Sequence, residues 1–594
     1  MGLRDEPTAF MLKRFWEFSK GNRDKVILYV TLFVFANSIA FLSPLVVGWM
    51  LDIIQSEGVT NANIHKLLFI ASLFVIIQIA FWIFHGPARV IERRNAYYAK
   101  SQYKKYLVDG TLDLPAEWHA NHHSGDTIDK IEKGSTALYN FSSNTYEIIE
   151  TVIRFFSSFI VLAYFNVSSA FIIIFGMVMA IIIVVRFDKN LRLMYKEVYK
   201  AENATSQKIY DIIGNITTII ILRIEQLASS QIWQKISAPF KTFSKSARIN
   251  ETKWFIVSVI TGLMTTLILT AYFLKAITLN QAVLVGTVYI LYGYIDRINS
   301  LFFRFAYRYS DFAQQKSAIE NAEELSVEFK TKDIKNNIGI NSDWKKLHID
   351  NLTFGYDSAN KREEELHLKN VSLKIRKHEK IALIGESGSG KTTFLKLLRG
   401  LYTPNSVKIY LDRTYINNFD QLSESITLIP QEPELFTSTI KENITMGLEY
   451  SEENIRKYTD IACFTKVVEQ LPHQLESYIY EKGVNLSGGE KQRLALARGL
   501  LACENKQIIL LDEPTSSVDS KNEMQIYTNV FKEFKNATII SSIHRLHMLE
   551  LFDTIYVFDK GRIVASGNLK HLLKNSPKFR SMWKKYHQTK HKTE

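Results

Sequence analysis

Cysteine is almost absent from this sequence, and its scarcity excludes two ways of stabilising a fold. Among 594 residues there are two cysteines, Cys463 and Cys503, and neither belongs to a metal-like cluster. A disulfide framework or a structural zinc site needs several cysteines at short, regular spacings. The sequence therefore indicates neither of them.

Tandem repeats and low-complexity segments are also lacking, and the composition instead divides the chain in two. A chain of 594 residues is too long for one ordinary core. Long apolar runs fill the first half, whereas the second half is mixed and charged. This shift predicts a membrane domain with cytoplasmic helix extensions over residues 1–320, a polar linker over 321–345 and a second domain over 346–594.

The formal net charge of +13 fits two classes of protein. A basic chain can bind nucleic acid, but a membrane protein also gathers Lys and Arg in its cytoplasmic loops. The apolar runs favour the second explanation, so we expect no nucleic-acid partner. The basic segment before the first run lacks the small-residue cleavage site of a signal peptide, which predicts a retained anchor.

Six stretches are long and apolar enough to cross a bilayer, which takes about 20 residues. Their short connections carry almost no Lys or Arg, whereas the longer segments between them are basic. Under the positive-inside rule, both termini and the second domain are then cytoplasmic, in a multi-pass protein of the cytoplasmic (inner) membrane. The predicted spans lie near residues 26–50, 67–87, 146–165, 169–187, 254–275 and 282–303.

A phosphate-binding loop follows a short apolar strand that begins at Lys380. Its glycines let backbone N–H groups converge on phosphate oxygens, Lys391 adds a positive charge, and the following helix contributes its N-terminal dipole. Thr392 is placed to hold Mg²⁺. The residues predicted to contact ATP here are Gly385, Glu386, Ser387, Gly388, Ser389, Gly390, Lys391, Thr392 and Thr393.

An apolar strand over residues 508–511 ends in two carboxylates, Asp512 and Glu513. We expect this strand to lie beside the P-loop strand in a parallel sheet, with Asp512 at the magnesium shell. Glu513 would then polarise the water that attacks the γ-phosphate. Two acids at a strand end can also be structural, but the upstream P-loop favours the catalytic interpretation.

The segment Asn485-Leu486-Ser487-Gly488-Gly489-Glu490 completes a resemblance to the ATP-binding cassette exporters. The chain is similar to half-transporters of that family, such as the bacterial lipid A flippase and multidrug and peptide exporters. The resemblance implies a polytopic α-helical membrane domain of six transmembrane helices, fused to an α/β P-loop NTPase domain. It also implies that Ser487, Gly488 and Gly489 complete the ATP site of an opposite subunit, where Glu490 replaces the more usual Gln.

The same resemblance assigns roles to three more side chains. Tyr356 would stack on adenine, Gln431 would touch magnesium and sense the membrane domain, and His544 would contact the γ-phosphate. Taken alone, Tyr356 is equally compatible with an ordinary strand aromatic, Gln431 with a solvated loop residue and His544 with a structural histidine. The resemblance also assigns contacts across the dimer to residues 516–519 and contacts with the intracellular helices to residues 481–483. It assigns coupling to residues 114–118 with 124–126 and to the region beside residues 211–216.

Together these features predict ATP-driven export or flipping of an amphipathic substrate (lipid, peptide or drug) by alternating access. A complete hydrolytic set favours a homodimer in membrane lipid, although a heterodimer stays open, and disfavours a non-transporting regulator or gated channel. On one interpretation, some of the arginines within or near the spans attract an anionic, phosphate-bearing substrate. On the other, Arg154 and Arg297 pair internally with Glu147, Glu150 or Asp296, while Arg304 and Arg308 sit at the lipid headgroups. The arginines concerned are Arg89, Arg154, Arg297, Arg304 and Arg308.

Overall fold

The computed structural model describes residues 6–165, 167–329, 339–356, 366–432, 434–480 and 486–593. It divides the chain into two compact units. One comprises Met1–Asp113 with Ser124–Phe329, and the other comprises Leu114–His123 with Lys330–Glu594. The first part of the predicted linker is helical up to Phe329, and residues 330–338 lie outside the described residues.

The first unit is built from helices. Several run far beyond the length that a bilayer requires: α4 has 49 residues, α8 has 48 and α12 has 45. At about 1.5 Å per residue, each is more than twice as long as a hydrocarbon core of about 30 Å. The helices are α1 (Pro7–Phe18), α2 (Arg23–Ala40), α3 (Ser43–Glu57), α4 (Ile64–Leu112), α6 (Ser124–Ser142), α7 (Thr145–Phe165), α8 (Val167–Gly214), α9 (Ile216–Ile221), α10 (Glu225–Ser237), α11 (Phe240–Thr278) and α12 (Val285–Phe329). The short helix α5 (Ala116–Asn121) belongs to the second unit.

Four helical stretches of the described chain are long and apolar enough to cross a membrane. They contain the first, second, fourth and fifth predicted spans. The third and sixth predicted spans lie in α7 and α12, which carry charged residues among their apolar ones. The total of six crossings therefore stays a prediction. The four stretches that are long and apolar enough are Arg23–Glu57, Ile64–Leu112, Val167–Gly214 and Glu225–Thr278.

The second unit is an α/β structure whose core lies on both faces of a largely parallel sheet. That sheet has the strand order β10-β9-β3-β8-β7-β6, and a four-stranded antiparallel sheet has the order β2-β1-β4-β5. The strands of the two sheets are β1 (Lys346–Phe354), β2 (Leu368–Arg376), β3 (Lys380–Ile384), β4 (Ser406–Leu411), β5 (Thr414–Ile416), β6 (Ile426–Ile429), β7 (Ile508–Asp512), β8 (Thr538–Ser542), β9 (Thr554–Asp559) and β10 (Arg562–Gly567). Its other helices are α13 (Lys391–Leu398), α14 (Ile440–Thr445), α15 (Glu452–Ile461), α16 (Thr465–Gln470), α17 (Gly488–Leu501), α18 (Ser520–Glu533), α19 (Leu569–Asn575) and α20 (Pro577–Thr593).

Strand order corrects one expectation. The acidic strand β7 does not lie beside the P-loop strand β3, because β8 is hydrogen-bonded between them. All five residues of β8 are buried, as expected for a strand covered on both faces. The last residue of β8, Ser542, is consequently aligned with Leu383 on one side and Asp512 on the other.

Candidate active site

The P-loop connects the buried strand β3 to helix α13 and requires glycine at two of its turns. Gly385 has φ 155° and Gly390 has φ 105°, both in a region that side chains disfavour. A Cβ atom on Gly385 would lie 2.3 Å from the Phe558 carbonyl oxygen, and one on Gly390 would lie 2.6 Å from Leu368 Cδ2. Only glycine therefore allows the loop to fold tightly before α13.

Lys391, the first residue of α13, holds its ammonium group inside this loop. Its Nζ donates hydrogen bonds to the carbonyl oxygens of Gly385, at 2.9 Å, and Glu386, at 3.3 Å. Burial lowers the pKa of Lys391, and the negative charges of Glu513 and Asp512 oppose that effect. The site thus concentrates a positive charge where a polyphosphate would need it.

Two further observations fit a bound nucleotide with its cation. The Ser389 hydroxyl is buried and has no hydrogen-bond partner in the part of the chain that is described, so it remains available to a ligand. Thr392 Oγ1 donates to Asp512 Oδ1 at 3.0 Å, which brings together two oxygen groups of the kind that Mg²⁺ prefers. Over the described ranges, no group of three or more His, Cys, Asp or Glu side chains could hold a metal ion.

Asp512 is the more buried of the two carboxylates. Burial raises the pKa of Asp512, while hydrogen bonds donated by Ser542 and Thr392 lower it. The two hydroxyl donors converge on the same oxygen, Oδ1, at 2.8 Å from Ser542 and 3.0 Å from Thr392. They stabilise the ionised form that a metal ligand needs.

Glu513 joins three segments that are distant in sequence. Gln431 Nε2 donates to its Oε2 at 3.0 Å, and His544 Nε2 lies 2.6 Å from its Oε1. Glu513 has φ 46°, an uncommon backbone conformation for a residue with a side chain. Its side chain is 10 % exposed, that of His544 is 50 % exposed, and a cavity of about 200 Å³ opens beside both. The structure therefore brings the three predicted catalytic residues into one cluster.

The Ser-Gly-Gly segment starts helix α17 at a separate place. Ser487 is its N-cap: Glu490 N–H donates to Ser487 Oγ at 3.4 Å, and Ser487 N–H donates to Glu490 Oε2 at 2.8 Å. These hydrogen bonds lower the pKa of Glu490, which therefore acts as an ionised capping residue. A Cβ on Gly489 would lie 2.8 Å from the Ser517 carbonyl oxygen. Asn485 and residues 481–483 lie outside the described residues.

Tyr356 lies among three other rings and remains 39 % exposed. Its ring contacts those of Phe354, His367 and Tyr402, and its hydroxyl lies 3.2 Å from Thr393 Oγ1. The last contact joins it to helix α13, directly after the P-loop. Its position is compatible with both sequence interpretations, an adenine platform and an ordinary strand aromatic.

Sequence reasoning gave no role to Gln492 or Ser542, two buried polar residues. Gln492 donates to the Gln431 carbonyl oxygen at 3.3 Å and to Ser516 Oγ at 2.7 Å, and it accepts the Ser517 N–H at 2.7 Å. It thereby ties α17 to the segment that carries Gln431. The sequence indicates this role only in that Gln492, a polar residue, occupies a position that the amphipathic pattern of α17 would bury.

Three of the arginines singled out in the sequence have acidic partners. Arg154 Nη1 lies 2.7 Å from Glu150 Oε1, and Arg304 Nη1 lies 2.9 Å from the same oxygen. Arg308 pairs with Glu147 at 2.6 Å. Both acids lie on α7, against which α12 packs. The expectation that Arg304 and Arg308 sit at the level of the lipid headgroups stays a prediction.

Comparison with known proteins decides the family. The family model for the ABC transporter transmembrane region matches residues 26–295, and the family model for the ABC transporter matches residues 368–516. Together the two matches cover more than half of the chain. The chain belongs to the ABC transporters. An export ATP-binding/permease protein of Rickettsia bellii is 27% identical, over 95% of this chain and 96% of the relative. The multidrug resistance-like ATP-binding protein MdlB of Buchnera aphidicola is 26% identical, over 97% of each.

Among solved structures, a bacterial Atm1-family ABC exporter with ATP bound has the same fold, with a TM-score of 0.83 at 20% identity. The match covers 95% of this chain and 99% of that one. The predictions of an ABC exporter, of a helical membrane domain fused to an ATPase domain and of ATP as the bound nucleotide are confirmed. The roles of individual residues in this ABC transporter stay predictions.

Proposed function

We propose that two copies of this ABC transporter bind ATP between them and use its hydrolysis to export or flip an amphipathic substrate across the cytoplasmic membrane. The cluster of Glu513 with Gln431 and His544 carries the proposal. A protein that only bound ATP would have no need of a carboxylate held by two polar partners beside the P-loop. The alternative of a non-transporting regulator is disfavoured for that reason.

Each group at the site has a place in phosphoryl transfer. The loop amides and Lys391 would bind the phosphates, and Thr392 and Asp512 would hold Mg²⁺. A Mg²⁺ ion held by these two residues would supply electrostatic stabilisation of the charge that develops during phosphoryl transfer. Glu513 would orient the attacking water and accept its proton, with His544 placed to contact the γ-phosphate.

We propose a dimer because the Ser-Gly-Gly segment starts helix α17 and is not part of the P-loop. Hydrogen bonds join Lys391, Thr392 and Asp512 in the P-loop region, and Glu513 directly follows Asp512. Ser487 and Gly489 belong to the start of α17. The chain has one membrane region and one ATPase region, as half-transporters do. We propose that Ser487 of one copy completes the site of the other, in a homodimer whose ATPase domains are cytoplasmic.

Transport and regulation are distinguished by one experiment. Protein in inside-out vesicles is supplied with MgATP, and both phosphate release and uptake of a fluorescent amphiphile are measured. The exporter model predicts that uptake requires hydrolysis and that Glu513→Gln abolishes both while ATP binding persists. Hydrolysis with no vectorial uptake of any amphiphile tested would favour the regulator.

The arginines support an anionic class of substrate. Arg154 and Arg304 share one carboxylate, that of Glu150. Arg297 lies 3.5 Å from the Phe41 carbonyl oxygen and close enough to Arg154 for their charges to repel. At Glu150 itself, two arginines share one carboxylate, which leaves a surplus of positive charge at this pairing. We propose that this surplus attracts a carboxylate or phosphate on the substrate.

Charge reversal tests the substrate class. Arg154→Glu with Arg297→Glu should abolish stimulation of the ATPase by anionic amphiphiles, with little effect on the basal rate. The control Arg23→Glu makes the same charge change as each single variant, but at the start of α2, where Arg23 lies over the Trp16 ring. Equal stimulation of the double variant and the control would remove the anionic-substrate proposal.

Coupling is proposed to pass through residues 114–126 and 211–216. The first of these includes α5, in which the Trp118 ring stacks on that of His122 with centroids 4.0 Å apart. The second spans the end of α8 and the start of α9, with Ile213 and Ile216 exposed. Exposed apolar side chains at helix ends are available for docking. Trp118→Ala should reduce transport more than ATP hydrolysis.

A further inference from the structure

The hydroxyl of Ser542 makes one hydrogen bond to each of the two functional acidic residues. Its Oγ donates to Asp512 Oδ1 at 2.8 Å and accepts the N–H of Glu513 at 2.9 Å. Ser542 is 1% exposed. Because one atom acts as donor to the first residue and acceptor from the second, it fixes the two relative to each other.

The sheet order places this hydroxyl. Strand β8 is paired in parallel with β3 and with β7, so its end lies between the start of the P-loop and the acidic pair. Within the ladder, Ser542 is aligned with Asp512. The preceding residue, Ser541, is equally buried, but its hydroxyl hydrogen-bonds Tyr527 Oη at 2.7 Å. The two adjacent serines therefore serve different partners.

Both contacts of Ser542 bear on groups that must be held in one orientation. Asp512 Oδ1 receives donors from Ser542 and Thr392, which restricts rotation of the carboxylate that would bind Mg²⁺. Glu513 has a left-handed backbone, with φ 46°. Its N–H is held by Ser542 while its side chain reaches Gln431 and His544.

We propose that Ser542 is a positioning residue that sets the metal-binding carboxylate of Asp512 and the hydrolytic carboxylate of Glu513 with a single hydroxyl. The inference rests on the proposed ATPase function of these two residues. It predicts that loss of the hydroxyl raises the Mg²⁺ concentration that nucleotide binding requires and also slows hydrolysis. The P-loop contacts of Lys391 do not involve Ser542, so metal-free nucleotide binding should be unaffected.

The test compares side chains that differ mainly by the hydroxyl. Full-length Ser542→Thr keeps the hydroxyl, Ser542→Val has nearly the shape of the threonine variant without the hydroxyl, and Ser542→Ala removes the hydroxyl and slightly reduces the side-chain volume. Ser541→Ala is the matched control, since it deletes a hydroxyl from an equally buried neighbour. Binding of a fluorescent ATP analogue is titrated with and without Mg²⁺, and ATPase is measured over a range of Mg²⁺ concentrations.

The Ser542→Val and Ser542→Ala variants should each need about tenfold more Mg²⁺ for half-maximal binding of the ATP analogue. This is the size expected for loss of one hydrogen bond to a charged group. Their ATPase turnover should fall by at least the same factor. Ser542→Thr and Ser541→Ala should match the wild type in the Mg²⁺ requirement. If Ser542→Val does not fold, Ser542→Ala against Ser541→Ala gives the same comparison.

An unchanged Mg²⁺ requirement in Ser542→Ala would overturn the inference, as would an equal loss of nucleotide binding with and without Mg²⁺. A threonine variant as defective as the valine variant would also overturn it, because shape alone would then explain the effect. Failure of the proposed function is a different result: the wild type would bind ATP with Mg²⁺ but not hydrolyse it, and the binding titrations would still test Ser542.

Discussion

The imidazole Nε2 of His544 lies 2.6 Å from Glu513 Oε1, although 30 residues of chain, including helix α18 and strand β8, separate the two. Gln431 Nε2 donates to the other oxygen of the same carboxylate at 3.0 Å. A carboxylate held from both sides has little freedom to rotate. We infer that this contact prepares Glu513 for a water placed between it and the phosphates.

Replacing His544 tests that contact. His544→Ala should lower the ATPase turnover by about 100-fold, a typical size for loss of a group that assists proton transfer, and leave ATP binding nearly unchanged. His547→Ala is the control, because His547 hydrogen-bonds Tyr586 Oη at 2.8 Å instead. The ATPase turnover of the two variants is measured as steady-state phosphate release. Equal rates for the two variants would contradict the role given to His544.

The acidic residue in the Ser-Gly-Gly-Glu segment should be tolerated because it caps a helix. Glu490→Gln keeps an oxygen that can accept the Ser487 N–H, so its ATPase activity should stay within about twofold of the wild type. Glu490→Ala loses that acceptor and should destabilise the ATPase unit by about 1 kcal/mol. Thermal unfolding of the two variants measures the difference. A Gln variant as unstable as the Ala variant would be inconsistent with capping.

The two cysteines should differ in reactivity. Burial raises the pKa of Cys503 to about 12, so below that pH its thiol stays neutral and unreactive in the folded protein. Cys463 is only partly buried, although burial raises its pKa as well. Iodoacetamide at pH 8 should therefore label Cys463 slowly and Cys503 only after unfolding, as mass spectrometry would show. Rapid labelling of Cys503 in native Cys463→Ser protein would contradict the predicted burial.

Local patterns were enough to predict the parts of the site that lie close together in sequence. The P-loop depends on glycines and a lysine within a few residues of each other, and the pair Asp512-Glu513 follows its own apolar strand. Their chemistry is therefore visible in short segments. The structure places Thr392 at hydrogen-bond distance from Asp512, as those segments suggested.

Long-range relationships could not be obtained in the same way. Strand order depends on which strand is inserted between two others, so the position of β8 and the contacts of Ser542 were missed. The ion pair between Arg308 and Glu147 joins residues 161 positions apart, beyond the reach of helical spacing. A buried glutamine such as Gln492 likewise gains its role only from the loops packed against it.

A cross-linking measurement tests most directly the claim that two copies share the nucleotide site. Two differently tagged chains, with both native cysteines replaced and Glu513→Gln to retain ATP, carry Ser387→Cys in one and Ser487→Cys in the other. A short bifunctional thiol reagent should join the two tags only when MgATP is present, since nucleotide would bring the loop of one chain to the α17 start of its partner. A cross-link that forms equally without nucleotide, or none between the two tags, would contradict the account.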